Sequence, residues 1–195
     1  MQVTEEAACD GELIGRCLAD PHEAAPFDAL YGRHAGPVLA FARGLSRGDE
    51  HAARDALQET FLRFLGALPA FDRGRPVRPW LLRIARNVCL DQQKRASHRS
   101  EVPHGPEALG ELAVDRQAGA PPDLAERREA AGLLRRAVEA LPPDELAVFV
   151  LKHDLGQTYE QAADVLACSV RTAKYRMRSA LERLGREAER LGVRP

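Results

Sequence analysis

The chain has 195 residues, enough for one large domain or two small ones. Its 29% charged and 45% apolar content is that of a soluble globular protein, which argues against a disordered or fibrous chain. No apolar run reaches membrane-spanning length, and the acidic start MQVTEEAACDGEL lacks a signal-peptide pattern; the sequence predicts no membrane insertion and a cytoplasmic place of action. The formal net charge of -1 hides an uneven distribution. Residues Phe71–Ser100 carry eight Lys/Arg against two Asp/Glu, and Ser169–Pro195 eight against three. Between and before them the balance reverses: five against ten over Glu101–Glu145, and five against eleven over Met1–Thr60. Basic stretches beside acidic ones suit phosphate-facing patches next to surfaces that avoid nucleic acid.

The apolar period is near 3.6 almost throughout, so an all-α protein is predicted. A short helix is expected over Gly11–Ala19 and a second over Phe27–Leu45, kinked or split at Pro37. Ser46–Glu50, with Gly48, reads as a turn. In Ala52–Leu68 the residues Ala53, Leu57, Phe61, Phe64, Leu65 and Leu68 line one face. Pro69 ends that helix, and Phe71–Pro79 reads as a loop. Helix Trp80–Arg95 follows, burying Leu81, Ile84, Ala85 and Val88. From Ser97 to Asp123 seven Gly and Pro residues break the pattern, and the segment reads as a flexible acidic tether. Periodicity resumes over Leu124–Leu141, with Ala131, Leu134, Val138 and Leu141 apolar. Glu145–His153 comes next, with Pro143 able to start it. Thr158 and Gln161 form a capping-box pattern, Ala167-Cys168 a turn, and Ser169 a cap for the last helix. The expected architecture is two small helical domains, 11–100 and 124–190, joined by a linker over 101–123.

Cys9, Cys17, Cys89 and Cys168 show no CxxC pattern and the six histidines are dispersed. No metal site, cofactor or catalytic residue is expected; Cys89 and Cys168 read as buried free thiols.

The last helices read as a helix-turn-helix. Val170, Ala173, Met177, Ala180, Leu181 and Leu184 share one face, while Arg171, Thr172, Tyr175, Arg178 and Ser179 lie opposite, flanked by Lys174 and Arg176. Recognition helices present their first turns to the bases. Arg171, Thr172, Tyr175 and Arg178 are therefore assigned to base or nearby phosphate contact, and Lys174 and Arg176 to phosphates. In DALQETF, residues Asp55, Gln58 and Glu59 share an exposed face that would repel DNA and suits a protein partner. In PWLLRIARN, Trp80 stands among Arg78, Arg83 and Arg86. An aromatic beside several guanidinium groups suits unpaired DNA, with bases stacking on the ring. Asn87, two turns further along the same face, offers an amide to the edge of an exposed base.

DALQETFLRFLGALPAFD followed by PWLLRIARNVCLDQQKR resembles region two of bacterial sigma factors. LPPDELAVFVLKHDLGQTYEQAADVLACSVRTAKYRMRSALERL resembles region four. With only these two regions and an acidic linker, the chain resembles the extracytoplasmic-function group over Leu13–Leu184. The resemblance implies that Asp55, Gln58 and Glu59 dock the clamp helices of core RNA polymerase. It implies that Trp80 and Asn87 lie in the segment that melts and reads the downstream promoter element, and that the last helix reads the upstream element as duplex. It further implies an anti-sigma partner and no catalysis by the chain itself. Arg171, Ala173 and Tyr175 differ from the residues usual in the family, which bears on promoter sequence rather than role. The alternative reading is a stand-alone helix-turn-helix regulator that binds operator DNA without polymerase.

Overall fold

The computed structural model describes residues 8–100 and 132–190. Among these residues there is no strand, and the fold is all-α. The predicted linker over 101–123 and the start of the helix predicted at Leu124 lie outside the described residues.

The N-terminal half contains four helices: α1 (Asp10–Ala19), α2 (Ala24–Leu45), α3 (Glu50–Ala67) and α4 (Val77–Ser100), with a 3₁₀ turn at Leu68–Ala70. Glu12 begins α1 by accepting the Cys9 amide at 2.9 Å, and Asp49 caps α3 by accepting the Ala52 amide at 3.0 Å. Each satisfies a donor that a helix start leaves over. A kink or a split was expected at Pro37; α2 is not split there and runs through the proline from Ala24 to Leu45. The proline removes one backbone hydrogen bond, but His34, Val38 and Phe41 are buried on either side of it and hold the helix together. The loop expected to run to Pro79 ends at Pro76, because α4 already begins at Val77. Pro79 then falls in the first turn, where no intrahelical donor is needed.

The C-terminal half holds a helix over 132–139 (α5), then α6 (Pro143–His153), α7 (Tyr159–Val165) and α8 (Val170–Arg190). The predicted capping box is formed: Gln161 N donates to Thr158 Oγ1 at 3.2 Å, and Thr158 N to Gln161 Oε1 at 2.8 Å. Thr172 N donates to Ser169 Oγ at 3.0 Å, which caps α8. Between them, Cys168 N reaches Ala163 O and Ala167 N reaches Asp164 O, the paired bonds of a Schellman stop. That stop places Ala167 in the left-handed region at φ 50°.

Leu13, Ile14, Leu30, Phe41, Phe64, Leu81 and Leu82 form the fully buried centre of the first half, and Leu146, Leu151, Val165, Ala173 and Ala180 that of the second. Each large side chain so placed contributes about 1.5–3 kcal/mol. Three leucines assigned to packed faces are instead exposed: Leu65 (39%), Leu134 (52%) and Leu181 (49%). On α8 the buried residues centre near Ala173, Met177 and Ala180, and Leu181 stands at the edge of that arc, roughly 70° from its middle. Cys89 is buried as expected, and burial pushes its thiol up to about 11; Cys168 is only half-buried.

The two halves touch. Helix α2 packs on α6, and α4 on α7. The first contact uses Gly44: a Cβ there would lie 2.7 and 2.8 Å from the two methyls of Val150.

Candidate polymerase and nucleic-acid interfaces

Three surfaces gather the residues singled out by sequence. On α3, Asp55 and Gln58 are exposed and Glu59 is half-exposed. Glu59 Oε1 accepts from Arg63 Nε at 2.7 Å, a surface pair of small energetic weight. Leu62, seven residues after Asp55, stands at the middle of this face and is 56% exposed. Beside it, Phe27, Tyr31, Phe61 and Leu65 line an apolar groove between α2 and α3. The surface is therefore mixed, an apolar strip edged by carboxylates and an amide, and not the purely polar face read from DALQETF. Leu62 was missed by sequence reasoning; its spacing of one heptad from Asp55 was the available signal.

The second surface is built on α4. Trp80 is half-buried, stacked on Phe71 (centroids 4.5 Å apart, 27° between planes) and edge-on to Phe64 at 5.4 Å. Phe71 and Phe64 brace the ring, which lines a groove together with Arg75, Arg83 and Asp164. Arg78 and Asn87 are exposed. Arg83 and Arg86 are not open to solvent in the way the helical pattern predicted. Arg83 donates to the carbonyl oxygen of Asp164 and, at 3.0 Å, to its carboxylate; Arg86 pairs with Asp144 at 2.5 Å. Both carboxylates belong to the other half of the molecule, a relation no local pattern contains.

The third surface is α8. Arg171, Lys174, Tyr175 and Arg178 are exposed, Tyr175 by 71%, and lie within about 100° of one another around the helix. Arg178 pairs with Glu182 one turn on, at 2.8 Å, with its side chain 81% exposed. Thr172 and Arg176 stand apart from this group. Thr172 Oγ1 lies 2.8 Å from the Ser169 hydroxyl at the cap. Arg176 sits roughly 140° round from Arg171 and binds the same Asp144 at 2.5 Å. Ser179 and Arg183 continue that flank, both reaching Glu145 of α6. The flank Thr172–Arg176–Ser179–Arg183 thus faces its own domain. Nearby, Lys152 and Lys174 both lie over the Tyr159 ring, at 4.8 and 5.7 Å.

Two groups off these surfaces are electrostatically distinctive. His34 is buried, its Nε2 2.8 Å from Asp10 Oδ2, and its Nδ1 has no partner. Burial holds the imidazole below its usual pKa despite the neighbouring carboxylate. Glu160 is held below the ordinary carboxylate range, chiefly by a backbone amide at the start of α7 and by Thr158. Among the described residues no group of three His, Cys, Asp or Glu is placed to hold a metal ion, and no helix is long and apolar enough to cross a membrane.

Residues 30–99 match Sigma-70 region 2 and residues 131–184 match Sigma-70, region 4. The probable RNA polymerase sigma-C factor of Mycobacterium bovis is 33% identical over 141 residues, 72% of each protein. The ECF RNA polymerase sigma factor SigL of Mycobacterium tuberculosis is 31% identical over 176 residues, 88% of this chain and 93% of that protein. Among solved structures, CnrH in complex with the cytosolic domain of CnrY superposes with a TM-score of 0.62 at 27% identity, over 92% of this chain and 97% of CnrH. The sigma factor RpoE of Bartonella quintana, solved with the anti-sigma factor NepR, gives 0.62 at 23% identity, over 84% and 96%. The chain belongs to the extracytoplasmic-function (ECF) RNA polymerase sigma factors. As a sigma factor it directs core RNA polymerase to promoters and is not itself an enzyme.

Proposed function

We propose that this sigma factor divides its work among the three surfaces described. The α3 face, Asp55, Gln58 and Glu59 with Leu62 at its centre, docks core polymerase. The α4 surface, Arg78, Trp80, Arg83, Arg86 and Asn87, receives the downstream promoter element as it opens: bases leave the stack at a cost of a few kcal/mol and regain it against the braced ring and nearby amide. Arg171, Lys174, Tyr175 and Arg178 of α8 read the upstream element as duplex. Thr172 and Arg176 orient that helix, Thr172 through the cap and Arg176 through Asp144. The working units are 11–100 and 124–190, joined by a tether over 101–123. Polymerase and promoter both lie in the cytoplasm, and the chain acts there. CnrH and RpoE were each solved with a second protein bound, and an anti-sigma partner is extended to this chain on that basis.

The observation that carries the reading is the split of α8: Ala173, Met177, Ala180 and Leu184 are buried while Arg171, Lys174, Tyr175 and Arg178 stand together in solvent. The test is reconstituted transcription. Purified chain, core polymerase and a promoter library should yield RNA from a defined promoter subset. Tight binding to operator duplex with no effect on core would support the stand-alone regulator instead.

A further inference from the structure

Helix α1 carries none of the three surfaces, yet it is firmly held. Leu13 and Ile14 are fully buried, and Asp10 binds Arg33 at 3.0 Å and His34 at 2.8 Å on α2. Two glycines one turn apart, Gly11 and Gly15, meet the loop that leads into α4. A Cβ on Gly11 would stand 2.7 Å from the carbonyl oxygen of Arg73, a backbone atom that retreats only with the loop. A Cβ on Gly15 would stand 3.0 Å from Arg73 Nη1, the movable tip of a long side chain. Only the first contact is rigid, and only glycine lets backbone approach so closely.

The loop is itself tightly turned. Gly74 N donates to Asp72 Oδ1 and Arg75 N to the Asp72 carbonyl oxygen, each at 3.0 Å. Both ends of the turn reach the groove of Trp80: Phe71 stacks on the ring, and Asp72, Arg75 and Pro76 line one wall of a space of about 190 Å³. A shift of Arg73 therefore carries that wall with it. We propose that Gly11 is a positioning residue for promoter selection: by letting the Arg73 carbonyl rest directly on α1, it fixes where the Asp72–Arg75 turn stands against Trp80, and so which base the groove admits as the downstream element opens. The Arg75 guanidinium supplies hydrogen-bond donors for a base edge beside the stacking ring. The inference rests on the assignment of α4 to promoter DNA made above. Relieving a Cβ at Gly11 moves the carbonyl by roughly 0.7 Å, from 2.7 Å to the 3.4 Å of ordinary contact. Groups that bind a ligand selectively must be held within about 0.5 Å, so the displacement is large enough to matter. With α1 anchored through Asp10, Leu13 and Ile14, the loop is the partner that gives.

Trp80 is the only tryptophan of the chain and reports on the loop directly. Gly11→Ala should raise the acrylamide-quenching constant of its fluorescence about two-fold, as the displaced loop loosens the Phe71 stack. Gly15→Ala, the same change one turn along, should quench as wild type. Transcription with core polymerase is then run on promoters randomised over the downstream element. Gly11→Ala should lose at least five-fold of the preference for the favoured base at one position, with affinity for core and for upstream duplex unchanged. A loss of stability alone would lower output from every promoter alike and leave the preference intact. An unaltered base preference in folded Gly11→Ala overturns the proposal, whatever the quenching shows.

Arg73→Ala is a second test that does not depend on how Gly11→Ala folds. The seat is made by the Arg73 carbonyl, so removing the side chain should leave quenching and base preference at wild-type values. A five-fold loss of preference in Arg73→Ala assigns the role to the guanidinium and overturns the seat. Trp80→Ala, tested with polymerase in the otherwise wild-type chain, separates this failure from that of the α4 assignment. Unchanged promoter opening there removes α4 from the DNA surface. Impaired opening there, beside a wild-type preference in Gly11→Ala, removes the seat alone.

Discussion

Trp80 lies flat on Phe71, with ring centroids 4.5 Å apart and 27° between planes. Phe71 follows the 3₁₀ turn that ends α3, and Trp80 stands in the first turn of α4, so the stack fixes the angle between loop and helix where DNA is proposed to open. Phe71→Leu keeps most of the volume and removes the stack. A double-mutant cycle with Trp80→Leu should give a coupling of about 0.5–1.5 kcal/mol in urea unfolding. The Phe71→Leu protein should also form fewer open complexes, read by permanganate reactivity of unpaired thymines, at unchanged affinity for upstream duplex.

Leu62 is more than half exposed at the centre of the α3 face. If that face docks polymerase, the side chain becomes buried on binding and contributes about 1.5–3 kcal/mol. Leu62→Ser should weaken affinity for core polymerase at least ten-fold without lowering the unfolding temperature. Surface plasmon resonance on immobilised core measures the first and differential scanning fluorimetry the second. Unchanged core affinity would remove Leu62 from the docking surface.

Arginines on α8 should separate by face. Arg171→Ala with Arg178→Ala should flatten the salt dependence of upstream-element binding by about 2 in the log–log slope, near 0.9 for each phosphate left without its cation. Arg176→Ala should leave that slope near wild type and lower thermal stability instead, because Arg176 serves Asp144. A wild-type slope in the first variant would mean that another face of α8 meets DNA.

Ala167 holds the left-handed position of the Schellman stop at φ 50°, which costs an L-residue about 1–2 kcal/mol. Glycine is free of that cost but loses more chain entropy on folding. Ala167→Gly should therefore raise stability by roughly 0.5–1 kcal/mol, read from the urea midpoint, with DNA binding unaltered.

His34 should make stability depend on pH. Burial holds its imidazole below the usual value of 6.5, so the unfolded chain takes up a proton more readily than the folded one. Stability from this site is complete above about 6.5 and is lost as pH falls from there through the folded value. The unfolding temperature should drop between pH 7.5 and 5.5, and His34→Gln should show a shallower drop. An identical pH dependence in the two proteins would exclude His34 as the source.

The helices, the capping box at Thr158, the Ser169 cap and the exposure of Arg171, Lys174, Tyr175 and Arg178 on α8 were legible in the sequence, whereas Thr172, Arg176 and Ser179, read onto the same face, turn toward their own domain. Each legible feature depends on residues within a few positions of one another: period, cap and breaker are local, and local geometry settles them. Even Pro37 is a local cost that the sequence shows, and only the packing of His34, Val38 and Phe41 around it decided that the helix continues. Other outcomes belong to tertiary structure. No spacing rule joins Arg83 to Asp164, 81 residues on, or brings Arg86 and Arg176 to one carboxylate. From sequence these arginines were simply cations on exposed helix faces; the fold presented each with a carboxylate. Whether a charged side chain is open or paired depends on what lies across from it, and that is set by how the helices pack.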